Sequence, residues 1–217
     1  MKKVLVILLS LSFIASVASA ELLVTANPIG TGQWAVLGAG LQDSNYGNIS
    51  GYTLTTLGGY VGYGLMDMLD LYVNAAYGTM GGLPSGVEGS GTLAGLNLKY
   101  AVLQEAPVSV AIGAGLKALS VRIKNPLTDT TNSGTQISLG VGVSKLMAPF
   151  IPYGGVAYRS TSGDVGDATQ LDATVGSAIA WSSQGAVFVE YTLQSITPKG
   201  GSNFSSGQIG LGVGYQL

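Results

Sequence analysis

From Gln33 to the last residue the chain alternates, almost without interruption, between large apolar residues and small or polar ones. A period of two is the mark of extended strands, whose successive side chains point to opposite faces. The pattern predicts ten strands: Gln33 to Gln42, Gly51 to Leu65, Leu69 to Thr79, Ser90 to Leu103, Pro107 to Val121, Thr135 to Leu146, Ile151 to Ser160, Thr169 to Ser182, Gly185 to Ser195 and Ser206 to Leu217. Every proline lies in the lead-in, in a connection or near a strand start, where a missing N–H does least harm. The connections alternate strictly. Tight ones lie around Met66 to Met68, Gln104 to Ala106, Met147 to Phe150 and Ser183-Gln184. Longer, more polar ones lie around Asp43 to Ser50, Met80 to Gly89, Arg122 to Gly134, Thr161 to Ala168 and Ile196 to Ser205. An antiparallel meander with both chain ends on the short-turn side produces that alternation and an even strand count.

The two faces of each strand are unequal. In the third strand Leu69, Leu71, Val73, Ala75 and Tyr77 oppose Asp70, Tyr72, Asn74, Ala76 and Gly78. In the fifth, Val108, Val110, Ile112, Ala114 and Leu116 oppose Ser109, Ala111, Gly113, Gly115 and Lys117. In the ninth, Val187, Val189, Tyr191 and Leu193 oppose Phe188, Glu190, Thr192 and Gln194. The second strand fits least well, because Leu54 and Tyr60 fall opposite Leu57, Val61 and Tyr63. The closing strand sets Ile209, Leu211, Val213, Tyr215 and Leu217 against a face of Gly and Gln. By parity, Asp70, Lys99, Lys117, Arg159, Asp172 and Glu190 all belong to the small-residue face. Those charges would coat a soluble sandwich thinly. If the face is a lumen, the apolar band meets lipid, where a midplane Lys or Arg would cost roughly 2–4 kcal/mol. Closure follows, because an open sheet edge in hydrocarbon leaves backbone groups unpaired. The fold class is all-β: a closed antiparallel up-and-down transmembrane β-barrel of ten strands.

Composition agrees. Charged residues are 9% of the chain, against roughly 25% in ordinary soluble domains. Residues 1–20 have the form of a secretory signal peptide. Lys2 and Lys3 precede an apolar core from Val4 to Ala15, and Ala18-Ser19-Ala20 supplies small residues for cleavage after Ala20. Residues 21–32, with Pro28, Gly30 and Gly32, form a lead-in, and residues 33–217 the barrel. Loss of Lys2 and Lys3 takes the formal charge from −2 to −4, a mildly acidic chain with no basic patch for nucleic acid. Outward aromatics form two belts: Tyr63, Tyr100, Trp181 and Tyr215 near the short-turn end, and Tyr77 and Tyr158 near the other.

Candidate chemistry is sparse. The chain has no Cys and no His, and so lacks thiols, the commonest general base and the commonest metal ligand. The G-x-G runs, such as Gly210-Leu211-Gly212, open no helix after a strand and do not read as a nucleotide site. Asp43-x-Asn45-x-Gly47 and Asp164-x-x-Asp167, placed in outer loops, read as solvated turns rather than a calcium site, so no metal is expected. The six lumen charges have two readings: a salt-bridge network bracing the interior, or a polar constriction on a narrow path. Arg159 with Asp172, and Asp70 with Lys99, lie on neighbouring strands at heights that allow pairing. The many inward Gly and Ala residues leave room that keeps the path open as a reading.

Three stretches carry a resemblance: Ile151-Pro152-Tyr153-Gly154-Gly155-Val156-Ala157-Tyr158, the tight turn entering Leu69 to Tyr77, and the closing Val213-Gly214-Tyr215-Gln216-Leu217. Through them the chain resembles the small outer-membrane β-barrels of Gram-negative bacteria, the group of opacity-type porins and the barrel domain of outer membrane protein A. The resemblance implies an outer-membrane location, contact with lipid and lipopolysaccharide, and insertion by the barrel assembly machinery. The final strand of that family commonly ends in an aromatic residue. Here the aromatic is Tyr215 and the terminus is Leu217. Small members commonly have eight strands, the alternative to ten. Hydrolases among such barrels resemble Asp/His or Ser/His sites, which a chain without His does not match. The expectation is a monomeric, non-enzymatic protein without cofactor that has a structural or surface role, with a narrow pore for small solutes as the alternative.

Overall fold

A computed structural model describes residues 26–46, 49–105 and 107–217. The signal-peptide reading of residues 1–20 and the first part of the lead-in lie outside them. The ten strands are β1 (Trp34–Tyr46), β2 (Ile49–Met66), β3 (Leu69–Gly81), β4 (Glu88–Glu105), β5 (Val108–Asn125), β6 (Thr128–Lys145), β7 (Phe150–Gly163), β8 (Ala168–Ala180), β9 (Gly185–Pro198) and β10 (Phe204–Gln216). Each pairs antiparallel with its neighbours in sequence, and β1 pairs with β10, so the sheet is a closed ten-stranded barrel. Ten rather than eight is therefore the count. The seam runs from Ala35 opposite Gln216 to Ser44 opposite Gly207, and the Leu217 amide adds a bond to the Trp34 carbonyl at 2.8 Å.

Parity sorts the side chains as the alternation requires. Val73, Leu96, Ile137, Leu139, Val175 and Leu211 point outward and are half exposed or more, an apolar exterior no water-facing monomer would carry. On β5 the outward residues are apolar from Val108 to Ala118. At about 3.3 Å per residue and a tilt near 40°, that band is about 25 Å tall, the thickness such barrels present to lipid. Above it the pattern inverts. Ser120, Arg122 and Lys124 face out, while Leu119, Val121 and Ile123 face in and are buried. There the strand follows the polar-out, apolar-in rule of a soluble sheet.

That inversion hides strand from the sequence. Arg122 to Gly134 reads as a polar loop, yet β5 and β6 continue through it and are joined only by Pro126 and Leu127. β2, β4, β5 and β6 reach 18 residues, against 13 or 14 in the others, so part of the wall rises beyond the band at the end opposite the short turns. β1 likewise runs past its expected end at Gln42 and takes in Asp43.

Candidate functional site: the filled lumen

The lumen is packed in three tiers. At the short-turn end the lead-in crosses the mouth instead of leaving it open. The Ala26 amide donates to Ser144 Oγ at 3.1 Å, and the Ile29 amide to both Asp70 carboxylate oxygens, each at 3.1 Å. Lys99 Nζ donates to the Asn27 carbonyl at 2.7 Å, and Gln216 Nε2 to the Ile29 carbonyl at 2.7 Å. Gly32 and Gln33 then bond the backbone of Gly64, which leads the chain into β1. The segment is thus tied to β2, β3, β4, β6 and β10. Asp70 and Lys99 face each other directly in the register and form an ion pair at 3.1 Å. Their pairing serves to hold the lead-in, a role the sequence does not announce.

Above it sits a polar tier. Arg159 Nε lies 2.7 Å from Asp172 Oδ2, and Gln170 Nε2 donates to Asp172 Oδ1 at 2.7 Å. Tyr153 donates to Glu190 Oε2 at 3.3 Å, Asn97 to Asn74 at 3.0 Å, and Gln136 to Thr161 at 3.2 Å. Thr174 and Thr192 share a hydrogen bond at 2.8 Å. Lys117 and Arg159 are both fully buried. Removing one partner of the Arg159–Asp172 pair would strand the other charge, a change worth roughly 3–5 kcal/mol. Asp172 is thus engaged by Arg159, and Glu190 by Tyr153.

Asp43 belongs to this tier and corrects the loop reading. It is wholly buried on β1 and accepts from Gln208 Nε2, its register partner, at 3.1 Å. It lies in a strand rather than an outer loop, and Gly47 of the same motif is outside the described residues; among those residues the lumen charges become four acidic against three basic. Asp167, at the opposite rim, pairs with Lys199 at 3.1 Å. The Lys199 ammonium holds its carboxyl below the usual range, through the hydrogen bond first and charge second.

The third tier is apolar. Leu54, Leu93, Leu119, Val121 and Ile196 converge at the far end, and Val165 folds in from the link between β7 and β8; each is at most 2% exposed. Leu54, the misfit in the second strand, is thereby explained. Tyr60, the other misfit, joins Tyr72, Tyr153, Phe188 and Leu41 in a second apolar cluster near the short-turn end.

Several of the small inward residues prove to be seats for large side chains opposite them. Gly62 faces Tyr72 across the β2–β3 ladder, Gly95 faces Lys117, Gly176 faces Tyr153 and Gly212 faces Phe188. In each case a Cβ on the glycine would fall within 2.6 Å of the opposing side chain. Each large side chain occupies the space over the glycine opposite it, so the lumen is filled at these positions.

Outside, Tyr77, Tyr100, Tyr158, Trp181 and Tyr215 are exposed at the two ends of the band, and Tyr63 packs at 4.7 Å, tilted by 48°, against Trp34, an outward aromatic that the alternation alone does not single out. Ile209, Leu211, Val213, Tyr215 and Leu217 face outward at the seam.

No protein-family model matches the chain, and no curated protein matches it in sequence. Among solved structures it is similar to the β domain of the Bordetella autotransporter BrkA, with a TM-score of 0.53 at 12% identity over 87% of this chain and 100% of that one. It is also similar to the translocator domain of the autotransporter NalP from Neisseria meningitidis, with a TM-score of 0.50 at 12% identity over 86% and 88%. Neisserial surface protein A aligns with a TM-score of 0.47 at 16% identity over 85% and 97%. The chain has the fold of bacterial outer-membrane β-barrels.

Proposed function

We propose that the protein is an integral barrel of a bacterial outer membrane with a structural or surface role, non-enzymatic, and with a lumen closed to solutes. One observation supports this above the others: the interior is filled from the lead-in at the short-turn mouth, through the polar tier, to the apolar tier at the opposite end. A solute path would need a polar channel through Leu54, Val121, Val165 and Ile196, which are at most 1% exposed. The charges brace the wall; ion pairs between neighbouring strands tie β3 to β4 and β7 to β8.

In this reading residues 1–20 direct export and are cleaved after Ala20, and the barrel assembly machinery inserts the chain. The short turns face the periplasm, the apolar belt contacts lipid and lipopolysaccharide, and the protein works as a monomer. Planar bilayers carrying the purified protein test closure. Wild type is expected to give no current steps across the usual voltage range. Regular, reproducible steps would overturn closure and favour the narrow pore.

A further inference from the structure

Between the lead-in and the wall made by β7 to β10 and β1, the short-turn mouth holds a cup of about 260 Å³. Its depth is apolar. Tyr60, Ala178 and Phe188 there are each 7% exposed or less, with Leu37 and Ile151 beside them and Ile29 of the lead-in closing one side. Its rim is polar: Ser182 and Gln184 are exposed and Gln216 is half-buried. Tyr215 donates to Gln184 Oε1 at 2.8 Å, which fixes that amide at the rim without using its NH2 donors. Among the described residues, no Asp, Glu, Lys or Arg lines the cup. It therefore suits an uncharged ligand, since nothing in it offsets the desolvation of an ion.

Size narrows the class. An apolar cavity of about 150 Å³ holds benzene, so this one accommodates about ten heavy atoms. The route of entry narrows it further. The strands around the cup are hydrogen-bonded continuously from β7 through β10 to β1, so a bilayer acyl chain has no gap through which to enter sideways. The ligand must come from water at the rim.

We propose that this cup binds a neutral, short-chain amphiphile from the aqueous side, its alkyl or aromatic part against Tyr60, Ala178 and Phe188 and its hydroxyl or carbonyl group at the Gln184 amide. The assignment goes beyond a structural role and does not depend on whether the lumen conducts.

The test uses the protein in lipid nanodiscs, with Ile and Leu methyls labelled for NMR and 1-octanol as the probe. Ile29, Leu37 and Ile151 methyls are expected to shift to saturation, while Leu211, on the lipid face, drifts in proportion to the octanol dissolved in the bilayer. Ala178→Leu fills the cup and is expected to weaken binding about tenfold or more. Ala180→Leu, nearer the rim, does the same job if the first variant fails to fold. Octanoate, equal in length but charged, should bind at least about tenfold more weakly. Shifts confined to lipid-face methyls, saturation unchanged in whichever filled variant folds, or octanoate binding as well as octanol would each overturn the proposal.

Discussion

Gly62 illustrates how a residue can be visible in a sequence and still be misread. Its parity assigns it to the lumen, and the absence of a side chain there reads as room. What occupies the room is Tyr72, directly opposite on β3, with Ile29 of the lead-in against the same spot. Neither partner follows from local pattern, because cross-strand register and the path of the lead-in are tertiary facts. A methyl at Gly62 would fall 2.6 Å from both side chains, so Gly62→Ala is expected to destabilise the barrel by about 1–3 kcal/mol through overpacking. Denaturant unfolding in lipid vesicles, read by gel mobility before and after boiling, measures it. In a double-mutant cycle with Tyr72→Leu the penalty should shrink, since the smaller residue yields the space. An equal penalty in both backgrounds would mean that Tyr72 is not the seated group. Asp43 was harder to place than its six fellow charges for a simpler reason. It stands between Gln42 and Ser44 in a run that looks like a turn, and only its pairing with Gln208 reveals a strand.

At the scale of elements, the strands within the lipid band were legible because hydrocarbon enforces a strict rule: apolar out, on every strand, over about eleven residues. Where that enforcement ends, legibility ends with it. The β5–β6 hairpin above Ala118 switches to polar-out and apolar-in, and a reader following the first rule takes the switch for a loop. The lead-in is the other element that pattern could not place. Pro28, Gly30 and Gly32 exclude a sheet-interior strand but do not say where the segment goes. Asp70 is its anchor, accepting from the Ile29 amide and pairing with Lys99, which in turn holds the Asn27 carbonyl. In Asp70→Asn the charge-assisted contacts to both groups weaken. The Ile29 amide is then expected to exchange with solvent deuterium at least about tenfold faster than in wild type, while the β3–β4 amides keep their protection. Unchanged exchange at Ile29 would mean that the lead-in is held by other contacts.

For the whole molecule, the closed antiparallel barrel was readable from alternation, connection pattern and the parity of six charges, because a membrane leaves few architectures open. The state of the interior was not. Both the bracing and the constriction readings accept the same inward residues, and the difference lies in whether side chains from opposite walls meet. They do: Leu93 on β4 and Ile196 on β9, on opposite sides of the ring, share the apolar tier with Leu54 and Val165. A ten-stranded barrel with many small lumen residues can therefore be closed across its middle and far end.

Solidity is the central claim, and the chain's lack of cysteine offers a clean probe of it. Thr192 is fully buried in the polar tier, where it bonds Thr174, and cysteine is close to it in size. In proteoliposomes, Thr192→Cys is expected to resist a charged, water-soluble maleimide for hours and to react completely once the protein is unfolded. Complete labelling of the folded protein within minutes would place water in the middle of the lumen and contradict a closed barrel.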